Sequence, residues 1–307
     1  MSVTDGFTGR SHGAKALCAS TGYPDPLEAI RFRSLRLIRE AEIENPPFSP
    51  FVLGSRLGIR RVVFSPIGFD ACLIPLTDGY EVQICSEHSK VRQNFSMAHE
   101  IGHVFFFEVT GKPQTARREK RIGMNEPNRE EEFLCDYTAS ELIMPSSHFF
   151  SDVHHFGPSL ASIFELASRY RASLRATTIK FAEMGLWKCL FVFWRQISEG
   201  DRSTFQLESY TRLGGRSLSA RAGISLSNEK HLLATLESGQ TVRGRELVRF
   251  GELEEACYIE SIRIGSKSSP RVLSMVFADR HGEHLAYSSS QRLIPSTKQR
   301  PLFERNE

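Results

Sequence analysis

Two histidines four residues apart enclose an acid in the run His99-Glu100-Ile101-Gly102-His103. On a helix, residues four apart lie one above the other on the same face, so both imidazoles can reach one metal ion. Glu100, one position along, projects beside that ion rather than onto it. There it is placed to take a proton from water attacking a carbonyl and to hand it to the departing amine. The H-E-x-x-H pattern is the mark of metal-assisted peptide hydrolysis. By itself it is only suggestive, since chance supplies it now and then in a chain with ten histidines. Its surroundings add weight. Phe95, Met97, Ala98 and Ile101, then Val104–Phe107, put the histidines against a core, where buried ring nitrogens need partners.

A catalytic zinc usually takes three protein ligands and keeps one position for water. After a polar stretch over 110–128, the run 129–143 offers Glu130, Glu131, Glu132 and Asp136. Glu132 and Asp136 are four apart and share a helix face. Glu132 can complete a His-His-Glu set while Asp136 orients one histidine through its second nitrogen. Glu130 and Glu131 read better as solvated charges. Cys135 falls near the same face. It is either a small buried thiol or a soft competing ligand that makes the site oxidisable. Tyr137, Arg92 and His148 are candidates to stabilise a developing oxyanion, with nothing in the spacing to select one. His154, His155, His281 and His284 read as exposed loop residues.

These side chains need a scaffold. Residues 26–43 carry apolar residues at helical spacing, and Asn45-Pro46-Pro47 ends that helix. A short helix over FVLGSRLGI and three strands at 60–65, 71–76 and 80–85 follow. Helices over 92–108 and 129–143 hold the site, and Pro145 stops the second. Two short helices are expected within 158–184. From Trp187 the pattern turns to strands, in a sheet of about five, with one helix over Ser227–Ser238. The expected organisation is α+β: a flexible N-terminus at 1–22, a peptidase domain at 23–155, a helix-turn-helix-like subdomain at 156–186, a second α+β domain at 187–295 and a disordered tail at 296–307.

The run RQNFSMAHEIGHVFFFE followed by EFLCDYTASELIMP resembles the ImmA/IrrE family of zinc metallopeptidases. Arg92, Phe95 and the Ala98–His103 core match its first motif. Glu132, Asp136, Ala139 and Leu142 through Pro145 match its second. Cys135 and Thr138 stand where the family usually has alanine and phenylalanine. The resemblance covers about residues 26–185. It implies a zincin-like, gluzincin-type domain binding one zinc ion per chain through His99, His103 and Glu132. It also implies a cytoplasmic endopeptidase of narrow specificity whose substrate is a protein, typically a DNA-binding repressor in a stress or mobile-element response. In zincin-type folds the peptide lies along an edge strand. Glu81, Val82, Gln83 and Ile84 on the strand before the motif helix are therefore either substrate-binding or part of an internal strand.

Composition limits the alternatives. With 307 residues, 40% hydrophobic and 24% charged, the chain is an ordinary folded protein of about two domains. A net charge of +3 forecasts no strong grip on nucleic acid or on an acidic membrane. No apolar run reaches the ~18 residues of a membrane span, and no signal-peptide pattern opens the sequence. Six scattered cysteines with no C-x-x-C pair suggest free thiols in a reducing compartment, so a cytoplasmic protein is expected. A second reading is a non-catalytic zinc-containing regulator that binds a repressor or DNA through the 158–184 helix pair. Against it stand the near-neutral charge and the intact general base. A third, compatible with the first, places a small-molecule sensor in the C-terminal half.

Overall fold

The computed structural model describes residues 11–111, 129–199, 202–211, 223–226, 229–266 and 268–277. The chain divides into two compact units. The first runs to Phe149 and takes in Arg169–Ser173; the second holds Phe150–Ser168 and the chain from Leu174 onward. The units interleave, where composition suggests the linear series 23–155, 156–186 and 187–295.

The first unit opens with α1 (His12–Thr21), in a stretch expected to be a flexible lead. Ser11 caps it, its Oγ accepting the Ala14 N–H at 3.1 Å, and Gly22 ends it in the left-handed region. Ala14 and Leu17 are fully buried. Two small apolar positions are too weak a period to read against polar neighbours, although the serine and glycine caps were legible. Next comes α2 (Pro26–Glu40), with Asp25 as its N-cap and Ala29, Ile30, Ser34, Leu37 and Ile38 as its inner face. α3 (Pro50–Arg56) leads into β1 (Ile59–Ser65), β2 (Ala71–Leu76) and β3 (Gly79–Cys85). The sheet order is β1-β3-β2, with β1 parallel and β2 antiparallel to β3.

α4 (Lys90–Thr110) carries the H-E-x-x-H run. It is buried on all sides from Ser96 to Phe107, because α1, α3, α5 and the sheet all pack on it. That is why its sequence is apolar around the whole circumference rather than along one stripe. α5 (Arg129–Ile143) lies against it. α6 (Ser146–Phe156) was missed in the sequence. Its first turn is capped by Glu141, a buried carboxylate that accepts the Ser146 N–H at 3.1 Å and the Ser146 Oγ–H at 2.6 Å. His154 and His155 are exposed, as expected, but on the last turn of this helix rather than in a loop.

α7 (Leu160–Tyr170) and α8 (Leu174–Glu183) are the expected helix pair. The second unit then adds β4 (Cys189–Glu199), β5 (Arg202–Tyr210), β6 (Ile224–Leu226), α9 (Lys230–Ser238), β7 (Val242–Phe250), β8 (Leu253–Ile264) and β9 (Arg271–Phe277). Its sheet has six strands among the described residues, ordered β5-β4-β9-β8-β7-β6 and antiparallel throughout, rather than about five. A polar chain runs through its apolar core. Trp194 Nε1–H donates to Ser274 Oγ at 2.9 Å, the Ser274 and Ser261 hydroxyls lie 2.7 Å apart, and His231 Nε2 on α9 meets Ser261 at 3.0 Å. On the other face Glu260, fully buried, accepts from Arg243 Nε and from the Leu160 N–H, both at 2.6 Å. This pair ties the start of α7 to the sheet. The end of the expected strand-rich region beyond residue 277, the start of the expected Ser227 helix, His281, His284 and the 296–307 tail lie outside the described residues, as does most of the 110–128 stretch.

Candidate metal centre

The chemistry depends on how closely α4 and α5 approach, and Gly102 sets that distance. A Cβ on Gly102 would sit 2.8 Å from Cys135 Cα, 3.0 Å from its Cβ and 3.2 Å from its Sγ. Only glycine admits the α5 backbone this close. The glycine within the motif was the available sign of such an approach.

With the helices thus seated, His99 Nε2 lies 3.4 Å from Glu132 Oε2, and His103 Nε2 lies 3.6 Å from Glu132 Oε1. Two ligands on a tetrahedral zinc with 2.0–2.1 Å bonds stand about 3.4 Å apart. His99 is 1% exposed, and its Nε2 makes no hydrogen bond. A buried ring nitrogen in that state is costly unless a metal takes its lone pair. Two imidazoles and one carboxylate also form a donor set suited to zinc, so the residues present fit the ion.

Asp136 Oδ1 lies 2.8 Å from His99 Nδ1. A proton shared there leaves Nε2 facing Glu132. Burial disfavours the charged form of His99. The hydrogen bond with Asp136, the Glu132 carboxylate 3.4 Å from Nε2 and the charge of Glu100 outweigh it and hold its pKa up at about 9. Glu100 is buried beside this cluster and acts electrostatically on both His99 and Cys135.

Cys135 is fully buried, and its Sγ lies 3.5 Å from His103 Nδ1. His99, His103 and Cys135 are close enough to be taken as a ligand set of their own. The geometry favours Glu132 instead. His103 turns Nε2 toward Glu132 and Nδ1 toward the thiol, and one imidazole cannot offer both nitrogens to one ion. Burial, and then the charges of Glu132, Glu100, Asp136 and Glu131, push the thiol pKa well above its ordinary value. A fully buried thiol is a poor target for oxidation.

The other candidates fall elsewhere. Glu81, Val82, Gln83 and Ile84 belong to β3, the middle strand of its sheet, so the edge-strand reading is corrected. Both sides of β3 are occupied by neighbouring strands and present no edge to a peptide. Glu81 is buried and accepts from Gln83 and Arg61, which hold its carboxyl below the usual range. Arg92 is exposed and paired with Asp70 at 2.7 Å. Tyr137 packs with α1 and α2 under the Arg31 guanidinium, and His148 stands edge-on to Phe48. Glu130 and Glu131, expected as solvated charges, lie against the start of α1: Glu130 Oε2 accepts the Ser11 N–H at 2.5 Å, and Glu131 accepts from the Gly13 backbone. On the helix pair Lys180 is buried, while Arg169, Arg171 and Arg175 are exposed. All six cysteines are free, five of them buried. No helix among the described residues is long and apolar enough to cross a membrane.

Comparison with known proteins supports the same segment. Residues 66–181 match the model of the Peptidase_M78 family, described as the IrrE N-terminal-like domain. The match takes in β2, β3 and both metal-site helices and leaves out α1, α2 and α3. No curated protein matches the chain. Among solved structures, a Mycobacterium tuberculosis transcriptional regulator superposes with a TM-score of 0.51 at 14% identity, over 92% of this chain and 84% of that one. That likeness is one of fold.

Proposed function

We propose that this chain, whose residues 66–181 carry an IrrE N-terminal-like domain, is a zinc-dependent metalloendopeptidase of narrow specificity. The observation that carries the reading is the meeting of His99 Nε2 and His103 Nε2 with the two oxygens of Glu132 at 3.4 and 3.6 Å. When bound there, zinc supplies a Lewis acid that acidifies water and polarises a peptide carbonyl. The remaining work belongs to the chain. Asp136 fixes the His99 ring through Nδ1, and Glu100 receives a proton from the attacking water and passes it to the leaving nitrogen. Gly102 keeps the two helices at the spacing these steps need. A protein substrate, and among proteins a DNA-binding repressor, is the partner implied by the family resemblance.

The test is co-expression with candidate DNA-binding repressors, parent beside Glu100→Gln and His103→Ala. The parent should yield a new fragment that disappears with a chelator. Glu100→Gln should bind zinc normally and yield none, because it removes only the proton acceptor. His103→Ala should lose both. Cleavage by Glu100→Gln would overturn the role of Glu100, and full zinc content in His103→Ala would overturn the ligand set.

A further inference from the structure

Glu132, the proposed third ligand, sits on the first turn of α5, immediately after an 18-residue connection from α4 over 111–128. A helix end is where backbone hydrogen bonds are fewest and fraying is easiest. A carboxylate that must hold its place to within a few tenths of an ångström therefore needs support from outside its own helix. That support comes from α1, which lies outside the matched family segment.

The first N–H groups of α1 have no partner within their own helix. Ser11 N–H is taken by Glu130 Oε2 at 2.5 Å, and the Gly13 N–H by Glu131. Ala14 N–H goes to Ser11 Oγ. The positive end of the α1 dipole faces two carboxylates; burial still raises the Glu131 pKa, and the Gly13 N–H and His12 act against that rise. The contact is close. A Cβ on Gly13 would sit 2.5 Å from Glu131 Oε1 and 2.9 Å from Phe106 of α4. One turn further along, Ala14 and Leu17 pack with Phe106, Leu134 and Cys135 in a single cluster. Glu130 and Glu131 immediately precede Glu132, so seating the pair seats the ligand.

We propose that α1 is an intramolecular clamp: its N-terminal N–H groups grip Glu130 and Glu131 and so position Glu132 for the metal. Glu130, Glu131 and Gly13 are positioning residues. The clamp rests on the metal-site reading for its purpose but not for its existence, since its hydrogen bonds involve none of the proposed ligand side chains.

The experiment uses the full chain in four forms: parent, Glu130→Ala/Glu131→Ala, Glu130→Gln/Glu131→Gln, and Gly13→Ala. Two quantities are read, amide exchange over 129–136 without metal and zinc affinity against a chromophoric chelator. In the alanine pair and in Gly13→Ala, exchange over 129–136 should quicken by roughly tenfold, and zinc should bind roughly tenfold more weakly. The glutamine pair should stay near the parent on both, because its amide oxygens still accept the two N–H groups. It loses the same charges as the alanine pair, so its retention separates the clamp from the dipole of α5 itself. If α1 only adds packing, Gly13→Ala will lower the melting temperature while exchange over 129–136 and zinc affinity stay at parental values, and the clamp is overturned. If the parent takes up no zinc, the metal reading fails, and exchange over 129–136 still decides the clamp.

Discussion

Replacing Gly102 with alanine tests the central geometric claim, that α4 and α5 are spaced by a missing side chain. The added Cβ would lie 2.8 Å from Cys135 Cα. Carbon atoms in ordinary contact stand about 3.5–4.0 Å apart, so the helices must part locally by about 0.7–1.2 Å. Overpacking of this kind costs roughly 1–3 kcal/mol. Alanine recovers about 1 kcal/mol of helix propensity relative to glycine. The net destabilisation is about 0–2 kcal/mol, a fall in melting temperature of roughly 0–8 °C for a unit of this size. The effect on metal should be larger in proportion. Ligand positions tolerate only about 0.2 Å, so displacing Glu132 should weaken zinc binding roughly 10–100-fold. The assay is a melt of the metal-free chain together with zinc competition against a chromophoric chelator. Adding Cys135→Gly should not rescue the variant, because the clash with the α5 backbone at 2.8 Å remains after the Cβ and Sγ contacts are gone. Zinc affinity within twofold of the parent in Gly102→Ala would refute the reasoning.

Other outcomes follow from the same contacts. His99 has its pKa raised from 6.5 to about 9. Its stabilising contribution is therefore full below about pH 6.5 and lost as pH rises through about 9. The metal-free chain should lose roughly 3 kcal/mol across that window, and zinc, which must displace the proton, should bind more tightly as pH rises through it. Melts from pH 6 to 10 with and without zinc read both effects, and flat profiles would contradict them. Cys135→Ala should keep zinc affinity near the parental value, and the cobalt-loaded parent should show no thiolate charge-transfer band; such a band would make Cys135 a ligand. In the second unit, Glu260→Ala leaves the Leu160 N–H and Arg243 without their shared acceptor and should cost about 3 kcal/mol in that unit's melting. An unchanged melt would show that this buried pair ties nothing down.

The clustering of the candidate side chains was legible in the sequence along with the α+β class. His99, Glu100 and His103 follow from one helical period, and Glu132 with Asp136 from another, because the chemistry of a metal site constrains residue type and spacing together. Substrate contacts impose no such pattern. Glu81–Ile84 looked like an edge because the strand precedes the motif helix in sequence. Chain order does not reveal that β1 pairs parallel to β3 across it and leaves β2 on the far side. Glu130 and Glu131 read as solvated for a related reason. A carboxylate that caps a helix more than a hundred residues away leaves no local signature, whereas Asp25 capping its own helix does. The missed α6 shares this cause, since its cap is Glu141 on the preceding helix rather than a serine or aspartate at its own start.

These long-range contacts converge on α5. On one side Gly102 lets α4 approach its backbone; on another Gly13 lets α1 reach its first turn. At Gly102 a single methyl group would meet the α5 backbone at 2.8 Å, and at Gly13 it would meet the Glu131 carboxylate, the end of a flexible side chain, at 2.5 Å. On the proposed metal-site reading, Glu132 is seated by two helices, α4, which carries His99 and His103, and α1, which lies outside the family match. Metal affinity in this chain is then a property of how three helices pack, not of the three ligating side chains alone. On this proposal the H-E-x-x-H run supplies two imidazoles and a base, and small residues that touch neither metal nor substrate decide whether they make a working centre.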